Sequence, residues 1–267
     1  MPMKNTPPSA TCRFAAGIDA SPHEVRLVIV SRDRRERRPV GVEWIGIAPL
    51  AAGAVSGAHF VDRAAVAAAL ASLCARRPRR RAMRAMPWAM AIPGGAPGGE
   101  TIESNRHLEA RVEVAAAAGI ALAAVDNEPQ AALRALVHAA GRASRPCCRF
   151  AAVWAGYDGV HGWRVAEGAV RSSFRFPGGE HADLESALRI LAGGERLDRA
   201  FVGGDLGLLE HVGLALADIG ECLACSVAPF ERASFRTGRA VLGLHADWRR
   251  TAAFAVAFGL ALRGVSE

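Results

Sequence analysis

The chain reads as an α/β protein built of two similar lobes that face each other across a cleft. Three observations predict this. The same order of elements, three antiparallel strands followed by helix, strand, helix and strand, runs twice along the 267 residues. Three glycine-marked strand ends, around Gly17-Ile18-Asp19, Trp154-Ala155-Gly156 and Val202-Gly203-Gly204, are placed where turns would point into a shared cleft. Hydrophobic residues make up 51% of a chain long enough to bury a substantial core, and much of that share is alanine, which predicts closely packed helices with small side chains.

Each element has a local cause. Arg13 to Asp19 is a short apolar strand, and Ala20 to His23 turn it, with Pro22 fixing one backbone angle. Glu24 to Ser31 returns with Val25, Leu27 and Ile29 alternating against Glu24 and Arg26. Val40 to Ile47 completes the first meander. Asp62 is a candidate N-cap for a helix over Arg63 to Arg76 with Val66, Leu70 and Leu73 on one face. Trp88 to Ile92 is a strand stopped by Pro93, and Gly94 to Gly99 is a loop. Helices are expected over Leu108 to Ala118, closed by Gly119, and over Pro129 to Ala140, closed by Gly141, with a strand at Ile120 to Val125 between them.

The pattern then restarts. Cys148 to Ala155, Val160 to Ala166 and Ala169 to Phe176 form a second meander, and Gly178-Gly179 turns the chain. A helix over Asp183 to Leu191, a strand at Ala200 to Val202, a helix over Leu206 to Ala217 and a strand at Cys222 to Val227 follow. A closing helix spans Trp248 to Leu262 and ends at Gly264. The domain reading is a disordered tail over 1–13, a first lobe over 14–140 completed by the C-terminal helix 248–264, and a second lobe over 145–247.

A net charge of +7 favours acidic partners, either nucleic acid or an anionic membrane face. The arginines cluster at Arg32 to Arg38 and at Arg76 to Arg84; these blocks read first as solvated loops. No aromatic residues interleave with them to stack bases, which weakens a nucleic-acid reading. The first thirteen residues hold no apolar run, and the longest apolar stretch, Thr251 to Leu262, falls short of the ~20 residues that span a bilayer. A cytosolic or peripheral protein is expected. Its six cysteines would be reduced. Cys222 and Cys225 look like half a zinc site, but a strand at that position would point them to opposite faces, so no metal site is expected.

Two similar α/β lobes around a cleft is the geometry of the actin, sugar-kinase and Hsp70 group, the duplicated ribonuclease H-like fold. Within it the chain resembles the type IV pilus assembly protein PilM family, and in size its short HofM-like relatives, named for competence and DNA utilisation. The residues that carry the resemblance run from Gly17 to Arg263. They are Gly17-Ile18-Asp19 with Val25-Arg26-Leu27-Val28, then Val42-Glu43-Trp44, Gly53-Ala54-Val55-Ser56-Gly57 and Val61-Asp62. Ala91-Ile92-Pro93, Ala118-Gly119-Ile120, Val125-Asp126, Ala131 to Leu136, Val202-Gly203-Gly204 and Ala257 to Arg263 follow in order. The family's inserted subdomain after the Ile-Pro strand is reduced here to Gly94 to Leu108, and the second lobe's insertion is also short.

The resemblance implies a nucleotide cleft whose candidate residues are Asp19, Ser21, Gly156, Asp158, Gly203 and Gly204. The departures weaken it. Pro22 offers no N–H donor in the first turn. An indole, Trp154, stands where an acid would hold Mg²⁺, which requires hard oxygen ligands. Asp158, four residues on, could replace that acid or simply belong to an Asp-Gly hairpin. The lone lysine, Lys4, is in the tail, and no glutamate or glutamine is assignable to orient water. The expected function is a non-catalytic cytoplasmic scaffold of a type IV pilus or competence platform at the inner membrane. It would bind the cytoplasmic tail of a PilN-like membrane protein and could contact anionic lipid. No cofactor is assigned, with ATP or ADP and Mg²⁺ possible if the cleft still functions. Two alternatives stay open: an actin-fold ATPase or small-molecule kinase, and a nucleic-acid module using Arg76 to Arg84.

Overall fold

The computed structural model describes residues 12–33, 40–78, 83, 85–94, 102–143, 149–177, 181–194, 196–231, 236–237 and 251–266. The duplication is present in the sheets. In the first, β1 (Cys12–Ala20), β2 (Glu24–Asp33) and β3 (Gly41–Pro49) form the meander, and β6 (Trp88–Ile92) and β7 (Ala124–Asn127) extend it in the order β3-β2-β1-β6-β7. In the second, β8 (Phe150–Gly156), β9 (Gly159–Ala166), β10 (Ala169–Phe176), β11 (Arg199–Gly204) and β12 (Ser226–Pro229) repeat that order as β10-β9-β8-β11-β12. In both, the meander is antiparallel and the two added strands are parallel to the first strand. A short hairpin, β4 (Val55–Ser56) with β5 (His59–Phe60), stands apart.

Helices fill both faces of both sheets. The outer face of the first sheet carries α1 (Arg63–Arg76) and α2 (Ile102–Ala117), with Ile18, Leu27, Leu70, Leu73 and Val114 buried between them. The outer face of the second carries α4 (His181–Ala192), α5 (Leu206–His211) and α6 (Leu216–Leu223) around Leu184, Leu188, Val202 and Ile219. Between the sheets lie α3 (Glu128–Ala143) and α7 (Ala255–Ser266). The expected alanine packing is found here, where Ala131, Ala132, Ala135, Ala257 and Ala261 are buried together. Gly259 carries the closest approach. A β-carbon there would stand 1.7 Å from the carbonyl oxygen of Ala131, so only glycine lets α7 touch the backbone of α3. An ion-pair cluster reinforces the contact: Arg134 donates to Asp126 at 3.0 Å and to the Gly259 carbonyl at 2.9 Å, and Arg263 lies 3.3 Å from Asp126.

Several expectations shift. The strand begins at Cys12, inside the stretch expected to be tail, because Cys12 and Arg13 pair with Asp33 and Arg32. Helix α2 starts at Ile102 rather than Leu108, and Gly119 does close it, with Ile120 N–H donating to Ala115 and Gly119 N–H to Ala116. That cap keeps Ile120 out of the sheet, so β7 starts only at Ala124. Gly141 and Gly264 lie inside α3 and α7 rather than ending them. The helix expected over Leu206 to Ala217 is two helices, broken at Gly213, whose φ is 76°.

The strand expected at Cys222 to Val227 is corrected more fully. Helix α6 runs through Cys222 to Leu223, Ala224 takes a left-handed conformation, and pairing resumes at Ser226. Cys222 is therefore a buried helix residue and Cys225 a half-buried turn residue, and burial pushes both thiols up. Arg236–Thr237 (β13) falls within the stretch assigned to the second lobe, yet it adds in parallel to β3 of the first sheet. Cys147, Cys148, Gly178-Gly179, Arg79 to Arg81, Arg84 and Trp248 lie outside the described residues.

Candidate functional site

Residues just past the carboxyl ends of parallel strands gather where two α/β layers meet. Here the ends of β1, β6, β7, β8 and β11 converge on one cleft of about 370 Å³ between the lobes. Asp19 and Ser21 come from β1 and its turn, Pro93 follows β6, Glu128 follows β7, Trp154 and Gly156 end β8, and Gly204 and Asp205 end β11. Of the six residues expected at a nucleotide site, Asp19, Ser21, Gly156 and Gly204 line the cleft; Asp158 and Gly203 do not.

The first turn is occupied by its own side chains. The register of the β1–β2 hairpin sets Arg26 directly opposite Asp19. Its Nη1 donates to Asp19 Oδ2 at 2.9 Å, and its Nε donates to Glu24 Oε1 at 2.7 Å, two positions along the same face. Both ends of the Asp19–Arg26 pair are buried, at 6% and 13% side-chain exposure. Burial pushes the Asp19 carboxyl up from its ordinary value, and the guanidinium opposes that rise. The Ser21 hydroxyl is also engaged: it donates to the Glu24 carbonyl at 3.1 Å and accepts from the Glu24 N–H at 3.3 Å, closing the turn.

The second turn follows the same rule. A β-carbon on Gly156 would stand 2.0 Å from Trp154 Cη2, so the glycine there makes room for the indole two residues before it. The hairpin turns at Tyr157 and Asp158, between Gly156 and Gly159. Asp158 faces His161 Nε2 at 3.3 Å and Arg175 Nη2 at 3.4 Å, while Tyr157 lines the cleft beside Gly57 of the β4–β5 hairpin. In the third turn Gly204 has φ 94°, and a β-carbon would meet the Ala155 carbonyl oxygen at 2.0 Å. Gly203 faces Ala255 and Leu136 instead of the cleft. Asp205 caps α5 by accepting from Gly207 N–H at 3.0 Å.

Two functional-looking residues escaped the sequence reading. Glu128, the first residue of α3, is 7% exposed and lines the cleft, and no hydrogen bond or ion pair to its carboxyl is found among the described residues. Burial, then the neighbouring charges of Asp19 and Asp158, hold it well above the usual carboxylate range against Arg111 and Arg26. The signal was its position: an acid between a parallel strand and a helix, beyond the carboxyl end of β7. Arg111 is 1% exposed. It donates from Nε to the Ala91 carbonyl at 2.9 Å and from Nη1 to the carbonyls of Ala58 and His107 at 2.9 and 3.1 Å. Its guanidinium lies 4.4 Å from the Phe60 ring centroid, and burial pulls it down to about 10. The spacing of Ala110, Arg111, Val114 and Ala115 puts it on the buried stripe of α2.

A Mg²⁺-nucleotide fits this site poorly. The ion wants near-octahedral oxygen ligands at about 2.0–2.1 Å. Asp19 is engaged by a guanidinium, the second turn presents an indole, and no group of three or more acids, histidines or cysteines able to hold a metal occurs among the described residues.

No protein-family model and no curated protein matches the chain. Solved structures do. A "PilM-PilN type IV pilus biogenesis complex" is similar at a TM-score of 0.67 and 14% identity, over 94% of this chain and 98% of that one. The inorganic polyphosphate/ATP-glucomannokinase from Arthrobacter sp. strain KM is similar at a TM-score of 0.52 and 15% identity, over 94% and 98% of the two chains. The ethanolamine utilization protein EutJ from Carboxydothermus hydrogenoformans is similar at 0.51 and 18%, over 93% and 89%. The chain therefore has the two-lobed actin-like fold, shared by proteins of unlike function.

Proposed function

We propose that the protein is a non-catalytic scaffold of a type IV pilus or competence assembly platform, held at the cytoplasmic face of the inner membrane by a PilN-like partner. The observation that carries the non-catalytic half is the first turn, where Asp19, the acid that would face a metal-bound phosphate, is engaged by Arg26 at 2.9 Å. The partner half is supported by the similarity to the PilM-PilN complex over 94% of the chain. No helix of the described residues is long and apolar enough to cross a membrane, so attachment would come through a partner or the surface.

A docking surface of suitable size lies on the first lobe. It is a groove of about 530 Å³ between the β4–β5 hairpin and α2, lined by His59, Phe60, Arg63, Arg106 and His107. Leu108 and Val112 are exposed on the same helix. The test is co-purification from solubilised membranes with a PilN-like single-span protein. Wild type is expected to retain the partner and Arg106→Glu to lose most of it; absence of the partner from the wild-type eluate would contradict the proposal.

The enzyme alternative is favoured by one observation, the buried Glu128 carboxyl in the cleft, which has the burial expected of a general base. The nucleic-acid alternative has less to rest on. Of its arginines within the described residues, Arg76 donates to the Ile47 carbonyl at 2.9 Å, and Arg77 lies 5.2 Å from the Trp88 ring centroid.

A further inference from the structure

We infer that Arg26 is a built-in counter-ion that takes the place of a divalent cation at the head of the cleft, and that it is the residue barring metal–polyphosphate ligands from this site. The inference rests on the non-catalytic reading and deepens it, because it names what keeps the cleft from working as a nucleotide site.

Two carboxyls hold the guanidinium, and a third lines the same cleft. Asp19 and Glu24 accept from it at 2.9 and 2.7 Å, and Glu128 lies within reach of its charge. An ionised carboxylate buried in a cleft requires a compensating cation. Here the cation is part of strand β2. Its neighbours Val25 and Leu27 are fully buried in the outer core, and its partner Asp19 is fixed opposite by strand register, so the guanidinium cannot swing aside as a surface arginine would. It stays charged, since Asp19 and Glu24 hold its proton against the effect of burial. A metal ion at coordinating distance from Asp19 would meet that fixed positive charge and would have to displace a charge-assisted hydrogen bond. Glu128 is the second, independent observation. It is more than nine-tenths buried, lines the same cleft and has no hydrogen-bonding partner among the described residues, so on giving up its proton it supplies an oxygen ligand for a cation that Arg26 excludes.

Removing the charge while keeping the shape should therefore create a metal site. In Arg26→Gln, Asp19 and Glu128 are left facing the cleft without the guanidinium. The probe is Tb³⁺, whose luminescence would be sensitised by Trp154 in the cleft wall. The folded variant is expected to bind one Tb³⁺ per chain, roughly tenfold or more tighter than wild type, with displacement by excess Mg²⁺ and loss of binding in the Arg26→Gln/Glu128→Gln double variant. A folded Arg26→Gln with no saturable Tb³⁺ signal, or a wild type that binds Tb³⁺ equally well, would overturn the inference. If Arg26→Gln does not fold, calorimetric titration of wild type with ATP decides instead: addition of Mg²⁺ must leave the binding heat unchanged, and a Mg²⁺-dependent gain in affinity overturns the inference. Co-purification of the PilN-like partner with wild type and with Arg26→Gln is measured in parallel. Its loss from wild type would remove the scaffold reading, whatever Tb³⁺ does, so the two failures are distinguishable.

Discussion

Glu128 gives the cleft a measurable signature in the pH dependence of stability. Glu128→Gln keeps the shape of the side chain and removes its titration. Well below the ordinary glutamate value of 4.5 the carboxyl is protonated in both folded and unfolded wild type, so the two proteins should be of similar stability. Above it the unfolded chain ionises while the buried group in the folded state keeps its proton. The folded state then binds more protons than the unfolded state, and wild-type stability falls as pH rises. The slope reaches about 1.4 kcal/mol per pH unit and continues until the folded-state carboxyl itself ionises. Glu128→Gln escapes that loss, so its advantage over wild type grows at the same rate through the same window. Urea melts of both proteins, followed by tryptophan fluorescence at pH steps upward from about 4.5, read the difference directly. A difference that stays flat across the series would refute the reasoning, because the folded protein would then carry an ionised Glu128 at no cost.

Other outcomes follow from packing. Gly259→Ala drives a β-carbon into the Ala131 carbonyl and should cost about 3 kcal/mol in thermal or urea unfolding, whereas Gly119→Ala, in open space at φ 75°, should cost only about 1 kcal/mol. Arg111→Met leaves the carbonyls of Ala91, Ala58 and His107 without their donor, an expected loss of about 3 kcal/mol by urea denaturation. Asp62→Ala removes the side chain that accepts from Ala65 N–H at 2.9 Å and should cost about 1 kcal/mol, measurable as a lowered Tm.

What could be read in advance tracked how local each cause was. Helix α1 was placed to the residue, because Asp62 caps it and Val66, Leu70 and Leu73 repeat at the helical period. The two meanders and their repeat were visible for the same reason, since alternation such as Val25, Leu27 and Ile29 is written in adjacent residues. Misplaced boundaries came from glycine read as a stop. Gly141 and Gly264 are interior helix residues, and Gly264 sits where a β-carbon would stand 2.7 Å from Ala15, a close approach that only the packed structure reveals. At Cys222 a short apolar run has the composition of a strand, although it is the last turn of α6. In the cleft, Asp19 and the indole of Trp154 were legible. The Arg26 contact needed the hairpin register, and Glu128 needed the parallel pairing of β7 that sets its position beyond the strand's carboxyl end. Several residues of the family-like motifs turn out to do structural work: Asp126, Arg134 and Arg263 tie β7, α3 and α7 together.

Phosphate release from ATP and Mg²⁺ under single-turnover conditions, with protein in excess over nucleotide, tests the scaffold account most directly. The account predicts release no faster from wild type than from Asp19→Ala, with both at the rate of buffer. Release from wild type that Asp19→Ala abolishes would contradict it, since Asp19 would then be serving a metal-bound phosphate and not the guanidinium of Arg26.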